Sequence, residues 1–518
     1  MPTYTPPLRD MQFVMHEVFK VTDEFKAMPQ HAEVDVDTIN AVIEEAGKFA
    51  SEVIFPLNIS GDTEGCTLDK VTHEVKTPTG FKEAYDKFVE GGWAALSCDA
   101  AYGGQGLPFV LNQCLYEMMN SANQAWTMYP GLSHGAYEAL HAHGTDEQKA
   151  LYLPKLTSGE WTGTMCLTEP HCGTDLGLIR TKAVPNGDGS YAVTGTKIFI
   201  SSGEHDLAEN IVHLVLAKTP DAPDNVKGIS LFIVPKFLED GTRNDVALVG
   251  LNHKMGQRGT TNTLLNFGDG TFPVGDESGA VGYLVGEEHK GLFYMFHMMN
   301  EARIGVGFLA TAIGYAGYLQ SLEYAKTRVQ GRPVDSKDPV SKPVAIIEHP
   351  DVKRMLLAQK SYVEGGLALG LWSSTLVDRA ATATDDDERA RAALLLDVIT
   401  PISKSWPSQW CLTANDLAIQ VLGGYGYTKE FDVEQCYRDN RLNPIHEGTH
   451  GVQAIDLLGR KFTMKGGAGL QVLVETITET IERATAAGGD AAGYAATLRA
   501  SVDRIPATVM AAWAAGDP

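Results

Sequence analysis

Apolar residues recur at helical spacing in two long stretches, and between them they gather into short extended runs. Within residues 1–160, apolar positions repeat at three and four over 36–56, 80–93, 109–122 and 131–143, which predicts amphipathic helices. Thr145-Asp-Glu-Gln148 has the spacing of a capping box and opens a helix predicted to end near Leu156. Tyr102-Gly-Gly-Gln-Gly-Leu-Pro108 reads as a loop, and it lacks the following Gly-Lys-[Ser/Thr] of a phosphate loop. From 161 to 285 the texture changes. Residues 191–201, 211–218, 228–236, 247–250 and 263–267 are rich in Val, Ile, Thr and Phe and are separated by Gly, Asn, Asp and Pro, which predicts a small β domain. From Gly291 the helical period returns, with Met295, Met298, Ala302, Val306, Leu309, Ile313 and Ala316 on one face. A second long helix is predicted after Pro350, a third from the turn at Asp385–Asp387 to about Thr400, a fourth ending at Gly423-Gly424, and a last one beginning near Thr449.

The order is therefore helices, a β domain, then helices. It predicts an α+β fold with an N-terminal helical domain (1–160), a middle β-barrel-like domain (161–285) and an up-down C-terminal bundle of about four helices (286–463). An alanine-rich helical extension (464–518) is interrupted at Lys465–Gly469 and at Gly488-Gly489.

Composition narrows the function classes. The 518 residues suffice for several large cores, and 44% hydrophobic with 21% charged is ordinary for a globular chain. A net charge of −23 repels phosphate backbones, so no nucleic acid is expected as a partner. No apolar run spans a membrane and the N-terminus lacks a secretory pattern, so a bacterial cytoplasmic location is expected. The seven cysteines are scattered without a Cys-x-x-Cys, which fits unpaired thiols serving as small core residues.

The most conspicuous string is His446-Glu-Gly-Thr-His450, the H-E-x-x-H letters of a zinc peptidase. A zinc site needs both histidines on one face of a continuous helix. Asn443-Pro444 precedes the string, Gly448 and Gly451 interrupt it, and the apolar period begins only at Val452. Thr449 is a good N-cap, which leaves His446 outside the helix and His450 in its first turn. No metal is expected. Two further strings carry chemistry. Met165-Cys-Leu-Thr-Glu-Pro-His-Cys-Gly-Thr-Asp175 combines a bare Gly173 with the hydroxyls of Thr168 and Thr174. Such groups suit a planar heteroaromatic ligand with phosphates, and equally an ordinary cap and turn. Lys197-Ile-Phe-Ile-Ser-Ser-Gly203 reads as a strand end.

Together these strings resemble the acyl-CoA dehydrogenase family. Cys166 to Asp175 is similar to its C-x-T-E-P-x-x-G-S-D segment, with Thr174 in the serine place. Phe199-Ile-Ser201 stands for W-I-T, Lys254-Met-Gly-Gln-Arg258 for its G-x-R segment, and Ala302-Arg-Ile-Gly305 for G-R-I-G. Tyr324-Ala-Lys-Thr-Arg328 resembles Y-A-x-x-R, Gln420-Val-Leu-Gly-Gly-Tyr-Gly-Tyr427 resembles Q-x-x-G-G-x-G-[F/Y], and His446-Glu-Gly-Thr449 resembles Y-E-G-T. The likeness runs from about 40 to 460 in the family's order. The N-terminal Pro7-Leu-Arg-Asp-Met-Gln-Phe13 and the region beyond 464 resemble longer bacterial members, among them those acting on 3-methylmercaptopropionyl-CoA and on broad-range fatty acyl-CoA. Those members continue further, which implies a shortened C-terminal module here.

The resemblance implies FAD-dependent α,β-dehydrogenation of an acyl-CoA in fatty acid β-oxidation, with electrons passed to an electron-transfer flavoprotein. An oxygen-using acyl-CoA oxidase on the same fold is the nearest alternative, and a flavin-bearing nucleic-acid-binding relative a distant one. Glu447 falls at the family's base position, and Ala302 replaces the glutamate that some relatives carry there. Glu301, one residue earlier, points away by about 100° on a helix. The base is expected to be a carboxylate with no competing cation beside it. The resemblance places Cys166, Leu167, Thr168, Gly173, Thr174, Phe199, Ser201 and Thr449 against the flavin. It places Thr174, Arg303, Glu447 and Gly448 at the substrate, and Arg328, Gln420, Gly423 and Gly424 against a neighbouring subunit's cofactor, which implies a homodimer or homotetramer. Phe199 in place of tryptophan, Asn300 in place of aspartate and His446 in place of an aromatic depart from the pattern.

Overall fold

The computed structural model describes residues 4–275 and 278–516, with the side chains of His297, Met298 and Asn300 outside that description. The expectations placed on Met298 and Asn300 therefore lie outside the described residues. The first region holds α1 (Leu8–Gln12), α2 (Val21–Phe25), α3 (Val36–Phe49), α4 (Asn58–Glu64), α5 (Phe81–Glu90), α6 (Phe109–His143) and α7 (Asp146–Ser158). A short ribbon of β1 (Thr67–Leu68) with β2 (Val75–Lys76) lies between α4 and α5. Both bonds of the capping box at Thr145 and Gln148 are made. The two apolar stretches at 109–122 and 131–143 form one helix, broken only at Asn123 (φ −161°, ψ 87°). There the Asn123 side chain accepts from the Trp126 backbone N–H at 3.1 Å, as an N-cap would, and restarts the helix without a loop.

The middle region is a closed sheet of β3 (Trp161–Cys166), β4 (Lys182–Pro185), β5 (Tyr191–Ser201), β6 (Asn210–Lys218), β7 (Ile229–Pro235), β8 (Val246–Leu251), β9 (Asn262–Phe267) and β10 (Ala280–Leu284). The path runs β10-β7-β6-β4-β5-β9-β8, with β3 parallel to β6. β10 also pairs with β5, Ala280 opposite Val193, which closes the ring. The apolar pattern missed β3, β4 and β10, which carry Gly, Thr, Lys and Pro where an alternating strand would carry Val or Ile. In β3 the glycine has a reason. A Cβ on Gly163 would sit 2.4 Å from the Ala136 Cβ, so only glycine lets β3 pack on α6.

The last region contains α8 (Gly291–Thr327), α9 (Pro350–Thr382), α10 (Asp386–Leu422), α11 (Val433–Asn440) and α12 (His450–Asp456). The extension adds α13 (Met464–Ala487), α14 (Gly489–Val502) and α15 (Arg504–Ala514). The expected break near Thr400 is absent, and α10 runs unbroken through Pro401 and Pro407. Pro407 has no N–H for the Ser403 carbonyl. That oxygen faces α8 at Gly307, where a Cβ would lie 1.8 Å from it. Tight packing between α8 and α10 carries the helix across both prolines, as tertiary context overrides propensity. The bundle thus has three long helices, with α6 packed along α8. The left-handed residues Lys465, Gly466 and Gly467 break the extension as expected, and Gly488 does so again.

One core joins Phe81, Phe88 and Trp126 of the first region to Tyr315, Leu367 and Cys411 of the bundle. The barrel has its own, built on Val193, Val215, Phe232 and Phe267. All seven cysteines are free, and six are buried. Among the described residues no helix is long and apolar enough to cross a membrane.

Candidate active site

Glu447 stands on a turn that few residues tolerate. Its φ is +52° and that of Gly448 is +91°, two successive left-handed positions. For a glutamate that conformation is costly and persists only where the surroundings impose it. Here they do. Gln453 Nε2 donates to the Glu447 carbonyl at 2.9 Å. Lys404 Nζ, from α10, donates to the Asn443 carbonyl at 2.8 Å and to the Gly448 carbonyl at 2.6 Å. Thr449 caps α12, its hydroxyl accepting from the Val452 N–H. The predicted helix start at Thr449 is therefore where α12 begins.

A ladder of buried amides anchors the same turn to α8. Asn415 Nδ2 donates to the Ile313 carbonyl at 3.0 Å. Asn440 Nδ2 donates to the Ala310 carbonyl at 3.0 Å and to Asn415 Oδ1 at 2.7 Å. Asn443 Nδ2 donates to Asn440 Oδ1 at 2.8 Å, and His446 Nε2 lies 3.0 Å from Asn443 Oδ1. His450 turns elsewhere, its Nδ1 2.5 Å from Ser405 Oγ. The two histidines of the zinc-like string thus serve different partners, and no grouping of metal-type ligands among the described residues includes either of them.

The electrostatics suit a base. Burial raises the Glu447 carboxyl above its ordinary value, while Arg303 and then Lys404 pull it back. The expectation of a carboxylate without a cation nearby is thus corrected, because two cations bear on it. Neither touches it within 4.0 Å, and both come from helices far away in sequence. Arg303 Nη1 is paired with Asp456 at 2.8 Å, and its Nε is a buried donor without a protein partner. Burial lowers His446 to about 3, so its ring is neutral. Glu301 faces away from this turn, its carboxylate 3.6 Å from His134 Nδ1.

The second cluster lies at one end of the barrel. After β3 the chain folds back so that the Thr168 carbonyl accepts from the Ile198 N–H at 2.9 Å. A Cβ on Gly173 would lie 3.4 Å from Thr168 Cγ2, so Thr168, Gly173 and the Phe199 strand are contiguous. Between Lys197 and Ile200 the β5–β9 register shifts, and there Phe199 adopts φ +60° and stands 62% exposed. A strand residue forced left-handed with its ring in solvent presents a flat apolar face. Thr174 is exposed beside Gly173, and the Ser201 hydroxyl accepts from Asn262 at 3.3 Å. Bare backbone, neutral hydroxyls and an aromatic plate are a donor set that fits a flavin ring. Cys166 is different. It is fully buried among the barrel core residues, so its thiol faces away from any ligand at this surface. The loop is held from beneath by the buried Lys197, whose Nζ donates to the Leu167 carbonyl and to Glu169 Oε1, both at 2.9 Å.

Arg328, Gln420, Gly423 and Gly424 gather at a third place, where the C-terminal ends of α8 and α10 meet. The Arg328 guanidinium lies 5.9 Å from the Tyr425 ring centre, and the residues around it are exposed. A Cβ on Gly423 or Gly424 would meet nothing within 4 Å. Sequence reasoning missed Lys404, Gln453, the three asparagines and the Lys197–Glu169 pair. The signal for Lys404 was present, since Thr400, Lys404, Ser408, Cys411 and Asn415 form one buried helical stripe in which a lysine is out of place.

Family models match all three regions: "Acyl-CoA dehydrogenase, N-terminal domain" over residues 37–160, "middle domain" over 164–269 and "C-terminal domain" over 289–461. The chain is 43% identical over 495 residues to 3-methylmercaptopropionyl-CoA dehydrogenase of Ruegeria pomeroyi, covering 95% of this chain and 81% of that one. It is 37% identical over 491 residues to the broad-specificity linear acyl-CoA dehydrogenase FadE5 of Mycobacterium tuberculosis, covering 93% and 79%. The fold matches the crystal structure of an acyl-CoA dehydrogenase complexed with FAD from Bacillus anthracis with a TM-score of 0.69 at 22% identity, covering 88% of this chain and 72% of that one.

Proposed function

The chain belongs to the acyl-CoA dehydrogenase family, and from that premise we propose that Glu447 is the base of an FAD-dependent acyl-CoA dehydrogenase that converts a saturated acyl-CoA to its trans-2-enoyl-CoA. The observation that carries this reading is the Glu447 turn, a carboxyl raised by burial on a strained backbone that its surroundings over-determine. FAD, when bound, supplies the acceptor for the hydrogen and two electrons released from the β-carbon. Glu447 takes the α-proton on a carboxylate oxygen, and the C–H electron pair becomes the new carbon–carbon π bond. The substrate carbonyl must be polarised as that proton leaves, and the Glu447 backbone N–H, held by the clamped turn, is the donor this chain offers. Gly448 would lie beside the thioester, and the unpartnered Arg303 Nε is a further buried donor. Entry of the acyl chain displaces water, raises Glu447 further and strengthens it as a base.

Thr168, Gly173, Thr174, Phe199 and Ser201 would hold the cofactor at the barrel end, with Leu167 and Thr449 beside it. Arg328, Gln420, Gly423 and Gly424 would reach the cofactor of a second copy, the guanidinium pairing with pyrophosphate, so the working state is a homo-oligomer. Electron-transfer flavoprotein is the acceptor in this reading. The test is anaerobic titration of the yellow enzyme with acyl-CoAs from short to long, the methylthio analogue included. Wild type should bleach, and Glu447→Gln should stay yellow while keeping its flavin. Full bleaching of that variant refutes the base assignment, and stoichiometric peroxide in air favours an oxidase.

A further inference from the structure

Three lysine side chains in this protein are essentially buried, and two of them are paired. Lys197 meets Glu169 at 2.9 Å, and Lys461 meets Asp397 at 2.5 Å. Lys404 is fully buried and has no carboxylate within 4.0 Å among the described residues. Its hydrogen-bond partners are the carbonyls of Asn443 and Gly448, one on each side of Glu447. A buried ammonium without a counter-ion is expensive, and folds keep one only where something is gained. Both ends of the base-bearing turn converge on it, and Glu447 is the carboxylate whose charge bears on it. Asp456 is already shared by Arg303 and Arg460.

We propose that Lys404 is the positioning residue of the catalytic base: it clamps the strained Glu447 turn through two carbonyls, and its charge favours the ionised form of the Glu447 carboxylate. This rests on the reading of Glu447 as the base. The charges facing that carboxylate are Arg303 from α8 and Lys404 from α10. His446 and His450 flank it and are both held low, by burial first and by Lys404 next, with Arg441 also lowering His450. Asp456 on α12 is neutralised by its two arginines. Arg303, whose pull on Glu447 is the larger, shares Asp456 with Arg460, whereas Lys404 has no carboxylate within 4.0 Å among the described residues and also holds the turn by hydrogen bonds. Burial lowers Lys404 itself to about 8, with Glu447 raising it again, as expected when each stabilises the charged form of the other.

The test uses flavin-loaded holoenzyme of wild type, Lys404→Met, Lys404→Gln and Lys404→Arg, with kcat/KM followed against pH. The acidic limb of that profile reports the free enzyme's base. Met removes donors and charge, Gln keeps a donor without charge, and Arg keeps both. Removing a cation raises a neighbouring carboxyl, so the limb should move to higher pH by about one unit in Met and Gln and stay near its wild-type place in Arg. Turnover should fall further in Met than in Gln, because Gln still bonds one carbonyl. If Met fails to load flavin, Gln against Arg carries the comparison. A limb that stays put in Met and Gln overturns the proposal, and so does one displaced equally in Arg. Glu447→Gln, assayed alongside, separates the two failures. If it still bleaches, the base assignment falls and this proposal with it; if it does not and the Lys404 limbs are unmoved, the proposal falls alone.

Discussion

Gly307→Ala tests whether the crossing of α8 and α10 sets the active-site turn. A methyl at 307 would lie 1.8 Å from the Ser403 carbonyl oxygen and 3.2 Å from the Lys404 Cα. Carbon against a carbonyl oxygen needs about 3.3 Å, so the two backbones must separate by about 1.5 Å. Alanine is a better helix former than glycine by about 1 kcal/mol, whereas over-packing costs about 1–3 kcal/mol or more. Gly305→Ala is the internal control on the same helix, since a Cβ there meets nothing within 4 Å. It should gain up to about 1 kcal/mol, and Gly307→Ala should lose about 2 kcal/mol. The difference of about 3 kcal/mol corresponds to about 6 °C or more between the two melting temperatures for a region of this size. The functional loss should exceed the stability loss. Ser403 adjoins Lys404, and a 1.5 Å displacement would carry Lys404 Nζ beyond bonding range of carbonyls now at 2.8 and 2.6 Å. Turnover of flavin-loaded Gly307→Ala should therefore drop at a temperature where the protein is fully folded. Melting of Gly307→Ala at or above Gly305→Ala would refute the reasoning.

Glu117 is a buried carboxyl with one unpartnered oxygen, raised to about 8 by burial. A folded value above the unfolded one means its contribution is intact below about 4.5 and lost as pH rises through 8, so Glu117→Gln should change stability little near pH 5 and stabilise by on the order of a few kcal/mol at pH 9. Equal effects in urea melts at both pH values would contradict this. Lys197→Met strands Glu169 and should cost about 3–5 kcal/mol together with flavin retention, and adding Glu169→Gln should recover most of it in a double-mutant cycle. Asn440→Leu removes the central rung of the amide ladder and should cost about 1–3 kcal/mol for each partner left unpaired, with turnover falling before flavin is released. Unchanged turnover there would detach the ladder from the site.

Periodicity exposed most of the helices, because a face buried along its length repeats its apolar residues. The strands it showed were those rich in Val and Ile, while β3, with Gly163 pressed on Ala136, did not look like one. The break expected near Thr400 is absent because packing at Gly307, far away in sequence, carries α10 across Pro401 and Pro407. The functional strings were legible because cofactor contacts come from short contiguous segments such as 166–175 and 446–449. Lys404 lies 43 positions before Glu447, Arg303 far earlier, and the asparagines at 415, 440 and 443 converge only once the helices pack, so no local window contains them.

The amide ladder has a direction, and it is set at the far end. The carbonyls of Ile313 and Ala310 can only accept, so the atoms facing them must be the nitrogens of Asn415 and Asn440. That choice turns Asn440 Oδ1 toward Asn443, fixes the Asn443 nitrogen there, and presents an oxygen to His446. A lone oxygen requires a proton on Nε2, which leaves Nδ1 as the bare lone pair of a neutral ring. Two peptide carbonyls on α8 therefore decide which nitrogen of a distant histidine bears hydrogen. No single amide can flip without setting acceptor against acceptor at its neighbour, so the ladder holds the tautomer as one all-or-none unit.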